Sequence, residues 1–342
     1  MRKRKNSETG LDGYSVRSGK IALAIGITLL TVVSIGGGWL LFSQRPMVGP
    51  LFPPRYASPT RSYYPTPYLR SQAASTKTST PSPVTMSARD ARLVMGMTSG
   101  EILTNLDGAG TRSTGLRGSD PVLAPDGRTL AYLRDKQLIV YHDGQEQIVN
   151  VPGAAMMPAW SVDGQWLAFV SRETDYDVVY RVDLASLQRS RVLSVPEIAA
   201  PPLSNPATDR LLIVERVGAK KTAFYTVDPM CAAQVAQGGC KASRKDIATA
   251  DHSVNWASYH PSATRIAFSD RDDGGLYLLN TANGDITPLV EDGQIKRRPA
   301  FSKDGAWLAY VSEGGQLYAL HLEDMVSQTV ALGQVASVDW AR

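Results

Sequence analysis

The sequence predicts an all-β, six-bladed β-propeller closed by pairing of its N- and C-terminal strands and set behind one transmembrane α-helix and a disordered stalk. Three observations carry this reading. A short unit centred on Asp-Gly recurs beyond residue 90, each unit is followed by further short apolar runs, and a stretch of 22 residues near the start holds no charge.

The repeat decides the fold. It reads PVLAPDGRTLAYL from Pro121, PAWSVDGQWLAFVS from Pro158 and PAFSKDGAWLAYVS from Pro299. A looser copy, ASYHPSATRIAFS, begins at Ala257, and a degenerate one, PLSNPATDRLLIVE, at Pro202. Pro121 and Pro158 are 37 residues apart, close to the length of a propeller blade. Asp126-Gly127, Asp163-Gly164 and Asp304-Gly305 suit tight hairpin turns that need positive φ. The run after the turn, Trp166-Leu167-Ala168-Phe169-Val170, is apolar at every position, as in a strand covered on both faces by neighbouring blades.

A third strand follows in each unit, as at Leu138-Ile139-Val140-Tyr141 and Leu317-Tyr318-Ala319-Leu320. A more polar fourth follows at Gln147-Ile148-Val149 and Thr287-Pro288-Leu289-Val290, which completes the four strands of a blade. Residues 92–97, 101–105 and 111–114 read as strands two to four of a blade lacking its first strand, and residues 337–340 as an orphan first strand. Joined, they make the sixth blade and leave no free sheet edge at the seam.

The Pro-x-Trp-Ser-x-Asp-Gly-x-x-Leu-Ala-Phe-x-Ser pattern resembles the WD40-like repeat of TolB-type six-bladed propellers. The resemblance spans about 250 residues, nearly everything beyond the stalk. It implies a domain that binds proteins, peptides or sugars, or gates substrate to a fused peptidase. It implies no catalytic residue here. The fourth copy departs most: Leu203 replaces the aromatic residue and the Asp-Gly pair is lost.

Residues 21–42 are long enough to span a bilayer, at roughly 33 Å as a helix. A cleavable signal peptide would have a shorter apolar core and a small-x-small site, whereas this run ends in Trp39-Leu40-Leu41-Phe42, so an uncleaved anchor is expected. Arg2, Lys3, Arg4, Lys5, Arg17 and Lys20 precede it against Glu8 and Asp12, which places residues 1–20 in the cytoplasm and the remainder outside. Gly36-Gly37-Gly38 reads as a Gly-rich turn of a lone anchor, with close helix packing as the alternative. Residues 43–88, rich in Pro, Ser, Thr and Tyr, form the linker, and residues 89–342 the propeller.

The net charge of +4 equals that of the first twenty residues alone, so the rest is near neutral and offers no basic face for nucleic acid. The only cysteines, Cys231 and Cys240, are nine apart in an insertion of the fourth blade. A small disulfide loop is expected in an exported domain; two free thiols and a metal site with His252 are the alternatives. Asp270, Asp272 and Asp273 imitate half a calcium loop but fall where another blade has a polar hairpin, and they are read as such. Lys296, Arg297 and Arg298 precede a first strand and read as a solvated charge run, with contact to an anionic group as the alternative.

No Gly-x-Ser-x-Gly elbow, Gly-rich phosphate loop or paired metal-binding histidines occur, and no cofactor or metal is expected. His260 sits in the Ser slot of the repeat and is read as structural. The expected function is a non-enzymatic scaffold of the cell envelope that binds a protein, a peptide or a cell-wall polymer. An extracytoplasmic sensor and a glycan-active enzyme with its site in the channel are the alternatives.

Overall fold

The computed structural model describes residues 93–105, 110–231, 239–331 and 333–340. The expected cytoplasmic tail, membrane helix and linker lie outside the described residues. Among the described residues no helix is long and apolar enough to cross a membrane.

The described chain forms six four-stranded antiparallel sheets. In chain order the strands begin with β1 (Leu93–Met97), β2 (Glu101–Thr104) and β3 (Arg112–Arg117). Blade 2 follows as β4 (Ser119–Leu123), β5 (Leu130–Arg134), β6 (Gln137–His142) and β7 (Gln145–Val149). Blade 3 is β8 (Ala154–Trp160), β9 (Trp166–Glu173), β10 (Tyr176–Asp183) and β11 (Arg189–Val195). Blade 4 is β12 (Leu203–Ser204), β13 (Leu211–Gly218), β14 (Lys221–Val227) and β15 (Lys245–Ala250), with a 3-10 turn at Gly239–Ser243. Blade 5 is β16 (Val254–Tyr259), β17 (Arg265–Asp270), β18 (Leu276–Asn280) and β19 (Ile286–Val290). Blade 6 is β20 (Lys296–Phe301), β21 (Trp307–Ser312), β22 (Leu317–His321) and β23 (Ser327–Ala331).

The last strand, β24 (Val335–Trp340), pairs antiparallel with β1, Leu93 opposite Trp340. Blade 1 therefore has the order β24-β1-β2-β3, the closure that the sequence predicts.

Apolar residues at every position of the second strands follow from burial on two sides. In β9, Trp166, Ala168 and Val170 pack towards blade 4 with Leu211 and Ile213, while Leu167 and Phe169 pack towards blade 2 with Leu133 and Val140. Six such clusters occupy the interfaces between successive blades, including Leu93, Met95 and Trp340 of blade 1 against Trp307 of blade 6. Burial of this kind stabilises by about 25 cal/mol per Å² of apolar surface, so the core is a ring of interfaces with no single centre.

The first strand of each blade lines the axis. Because the strands alternate in direction, the turns after the first and third strands share one face of the ring. That turn-bearing face carries the Asp-Gly hairpins. Gly127, Gly164 and Gly305 have φ of +69°, +71° and +74°, the conformation that the turn demands and that glycine adopts without a Cβ penalty.

Candidate functional site

The axial channel is built from homologous positions of the six inner strands. In blades 2, 3 and 6 the residue before the motif proline (Asp120, Met157 and Arg298) has positive φ, and the strand pairing shifts register there. A bulge of this kind re-aims side chains. Arg298 and Asp120 both line the channel, with Arg298 Nη1 2.6 Å from Asp120 Oδ1. The Arg298 guanidinium lies 3.7 Å from the centroid of the Trp256 ring, a cation–π contact. Burial pushes Arg298 below the ordinary arginine range, against the opposing pull of Asp120.

Hydrogen bonds stitch neighbouring inner strands together around this throat. Leu123 N donates to Asp339 Oδ2 at 3.0 Å, Trp160 Nε1 to the Val122 carbonyl at 3.1 Å, and Phe301 N to Ser258 Oγ at 3.3 Å. The free volume left is about 40 Å³, room for about three water molecules. The carboxylates lining it are Asp120, paired with Arg298, and Asp339, which accepts from Leu123. A sugar ring does not fit between them.

On the turn-bearing face the throat widens into a funnel of about 370 Å³, which shares Ser258 and Asp339 with it. The funnel rim is Pro125, Val162, Pro206, Pro261 and Lys303, contributed by five blades, and Tyr259 and Phe301 lie deeper. Each rim residue comes from the turn after a first strand, so the repeat itself places them in a ring. Val162 is 45% exposed, an uncovered aliphatic side chain at the mouth. Beyond Val162 and Pro206 lies a groove of about 550 Å³ between blades 3 and 4, reached over those two residues.

The three cations that read as a solvated charge run part company in the structure, and only Arg297 fits that reading. Lys296 is 2% exposed, and its Nζ bonds Asp292 and the Gln294 carbonyl. Arg297 faces solvent, and Arg298 enters the throat. Strand alternation followed by the bulge sends the successive side chains different ways. Of the three, only Arg298 reaches a cavity.

Cys231 and Cys240 are joined in a disulfide, with a Cα–Cα distance of 5.6 Å. Cys240 is fully buried and packs with Trp166 and Tyr225 in the interface of blades 3 and 4. His252 stands with Asp270 and Asp273, their ligand atoms within 4.8 Å of one another, the group with metal-binding potential among the described residues. Its oxygens already serve the hairpin: Asp270 Oδ2 accepts from His252 Nδ1 at 2.8 Å and Ser253 N at 3.1 Å. Asp273 Oδ2 accepts from Tyr277 OH at 2.6 Å.

A nucleophile-like contact occurs at Thr129, whose Oγ1 is 2.7 Å from His142 Nδ1. That hydroxyl also donates to Asp126 Oδ2 at 2.6 Å and is 7% exposed, a turn clamp away from all three cavities. His260 stands in the Ser slot but bonds differently: its Nδ1 accepts from Ser262 N at 3.1 Å, two residues on, whereas Ser161 Oγ in blade 3 accepts from Trp166 N at 3.0 Å, five residues on. Sequence reasoning missed Asp120, Trp256, Val162 and Arg181, because their meaning depends on which blades meet.

The fold is a six-bladed β-propeller like that of TolB. TolB from Acinetobacter baumannii superposes with a TM-score of 0.58 at 18% identity, over 74% of this chain and 67% of that one. "The structure of putative TolB from Agrobacterium tumefaciens" gives 0.55 at 12% identity, over 73% and 92%. A chain of a solved nidogen–laminin complex gives 0.56 at 12%, over 72% and 97%. Among curated proteins, the "Uncharacterized peptidase YuxL" of Bacillus subtilis (strain 168) is 24% identical over 213 residues, 56% of this chain. The match spans 29% of that protein's length. No family model matches the chain.

Proposed function

We propose that this chain is a membrane-anchored, extracytoplasmic propeller that acts as a non-enzymatic binding scaffold of the cell envelope and holds a protein or peptide partner on its turn-bearing face. The observation that carries the reading is the funnel. It is open, about 370 Å³ in volume, and rimmed by one residue from each of five blades. Open apolar concavities with a few polar groups at their base are ordinary ligand sites. Arg298 lines the throat beneath the funnel, where Asp120 already pairs with it.

The Cys231–Cys240 disulfide supports an oxidising compartment. The uncharged run at residues 21–42, with its excess of cations on the N-terminal side, supports anchoring with the propeller outside. The Bacillus relative carries a peptidase name, but the match spans 29% of its length, and binding is the role proposed for the matched part of this chain.

The test places a photo-crosslinking residue at Val162 in the full-length protein in its membrane, and a second at Lys136, an exposed position on the opposite face. A discrete adduct from position 162 and none from 136 is expected. Adducts from 136 alone would remove the face assignment, and none from either would remove the binding role.

A further inference from the structure

The groove between blades 3 and 4 has a feature that the funnel lacks. It opens where blade 4 departs from the repeat, with an inner strand of two residues, Leu203–Ser204, and a turn built on Asn205-Pro206 in place of Asp-Gly. Blade 3 contributes Trp166 and Arg181 to its lining, and the segment leading to the disulfide contributes Pro229 and Met230. The Arg181 guanidinium lies 5.4 Å from the centroid of the Trp166 ring. Among the described residues Arg181 makes no hydrogen bond and no ion pair, and its Nε is buried without an acceptor.

Two carboxylates are close enough to feel that charge, but each is spent locally. Asp183 Oδ1 accepts from Ser186 Oγ at 2.8 Å and Ser186 N at 2.9 Å, and Asp163 Oδ1 from Gln165 N at 3.0 Å. A guanidinium offers five donors in a fixed fork that matches a carboxylate in two-point contact. Held on an indole face, it loses little freedom on binding one. The walls beside it are apolar and open: Val162 is 45% exposed and Met230 51%. Met adapts its shape to varied apolar side chains. Asp163 and Asp209 on the rim repel a second negative charge.

We infer that this groove is a docking site for an extended peptide segment that presents one acidic side chain to Arg181 with apolar residues on either side. The inference rests on the binding role proposed above and adds a second subsite, next to the funnel, with its own chemistry. A single carboxylate between apolar neighbours satisfies Arg181 and covers Val162 and Met230; a polyanion satisfies the first and meets the rim carboxylates.

The experiment uses the full-length protein in nanodiscs and three fluorescein-labelled peptides of sequence Gly-Leu-X-Leu-Gly amide, X being Asp, Asn or Lys, followed by anisotropy. The Asp peptide is expected to bind at least tenfold more tightly than the Asn or Lys peptide. Arg181→Met, which keeps an apolar stem on Trp166, is expected to erase that ratio, and Arg271→Gln, at an exposed position of blade 5, to leave it intact. Met230→Ser, at an exposed position that does not endanger folding, is expected to weaken the Asp peptide at least threefold.

Equal binding of the Asp and Asn peptides, no binding of any, or an unchanged affinity in Met230→Ser would overturn the inference. So would polyphosphate competing as well as the Asp peptide. A native partner that crosslinks at Val162 and is indifferent to Arg181→Met would leave the binding role standing and remove this site.

Discussion

Blades 6 and 4 occupy equivalent places in one ring and are held together by different means. In blade 6 the turn does the work. Ser302 Oγ accepts from Trp307 N at 3.0 Å and donates to Asp304 Oδ1 at 2.6 Å, and Asp304 also accepts from Ala306 N at 3.0 Å. In blade 4 the Asp-Gly turn is gone. Arg210 instead bridges Thr226 Oγ1 at 2.8 Å, the Thr226 carbonyl at 2.9 Å and the Ser243 carbonyl, and the nearby disulfide ties down the insertion. Local turn chemistry can therefore be exchanged for side-chain bridges and a covalent link. The exchange leaves open the surface that became the groove.

The comparison breaks most sharply at Gly305. Its φ is +74°, and a Cβ there would lie 2.2 Å from His260 Nε2 of blade 5. Gly305→Ala is expected to cost about 3 kcal/mol or more, the sum of left-handed backbone strain and forced repacking. At Gly127 in blade 2 the φ is +69° with nothing within 4 Å, so Gly127→Ala should cost only about 1 kcal/mol. Urea midpoints of the two variants measure the difference, and equal losses would show that His260 yields freely.

The next effect belongs to blade 4. Replacing Cys231 and Cys240 together by Ser opens a short loop, worth about 2–3 kcal/mol by restriction of the unfolded chain. Because Cys240 packs into the interface of blades 3 and 4, hydrogen exchange should accelerate in β9, β13 and β14 and stay unchanged in β21 and β22. Uniform acceleration around the ring would mean that the link supports global stability alone.

The smallest effect is a pH dependence at the junction of blades 5 and 6. Burial, and then the charge of Arg265, hold His260 below the ordinary histidine range, against a weaker pull from Asp304. The folded state thus favours the neutral ring. Its contribution is complete above the unfolded value of about 6.5 and is lost as pH falls below it, where the unfolded chain binds the proton more readily. The fall in urea midpoint between pH 7.5 and pH 5.5 should be shallower in His260→Gln than in the parent. An identical slope would assign the acid sensitivity elsewhere.

The repeat and its closure were legible because each rests on a local pattern. Asp-Gly marks the turn, the runs of apolar residues mark strands buried on both faces, and residues 337–340 fit the strand that residues 92–97 lack. The Cys231–Cys240 pairing was legible from spacing. The throat was not. Asp120, Trp256 and Arg298 sit in blades 2, 5 and 6 and meet only because the ring closes, which no local pattern encodes. Lys296, Arg297 and Arg298 looked like one cationic cluster, since a linear reading cannot see the bulge that turns Arg298 inward. Arg181 carries no local signal in the sequence, and its lack of an acceptor depends on what blade 4 omits.

The pairing of Leu93 with Trp340 also sets a schedule for synthesis. During translation β1 has no inner neighbour until residue 340 has left the ribosome, although the strands of blades 2 to 6 become available one after another. Until then Leu93 and Met95 have neither β24 beside them nor blade 6 against them, and the edge of β1 is free to pair with another chain. Sealing the ring is a single late event between the most distant described strands, and contacts so far apart in sequence form slowly. The interval in which β1 is open to aggregation therefore lasts until β24 has emerged and paired with it, and a helper that shields β1 has its whole effect in that time.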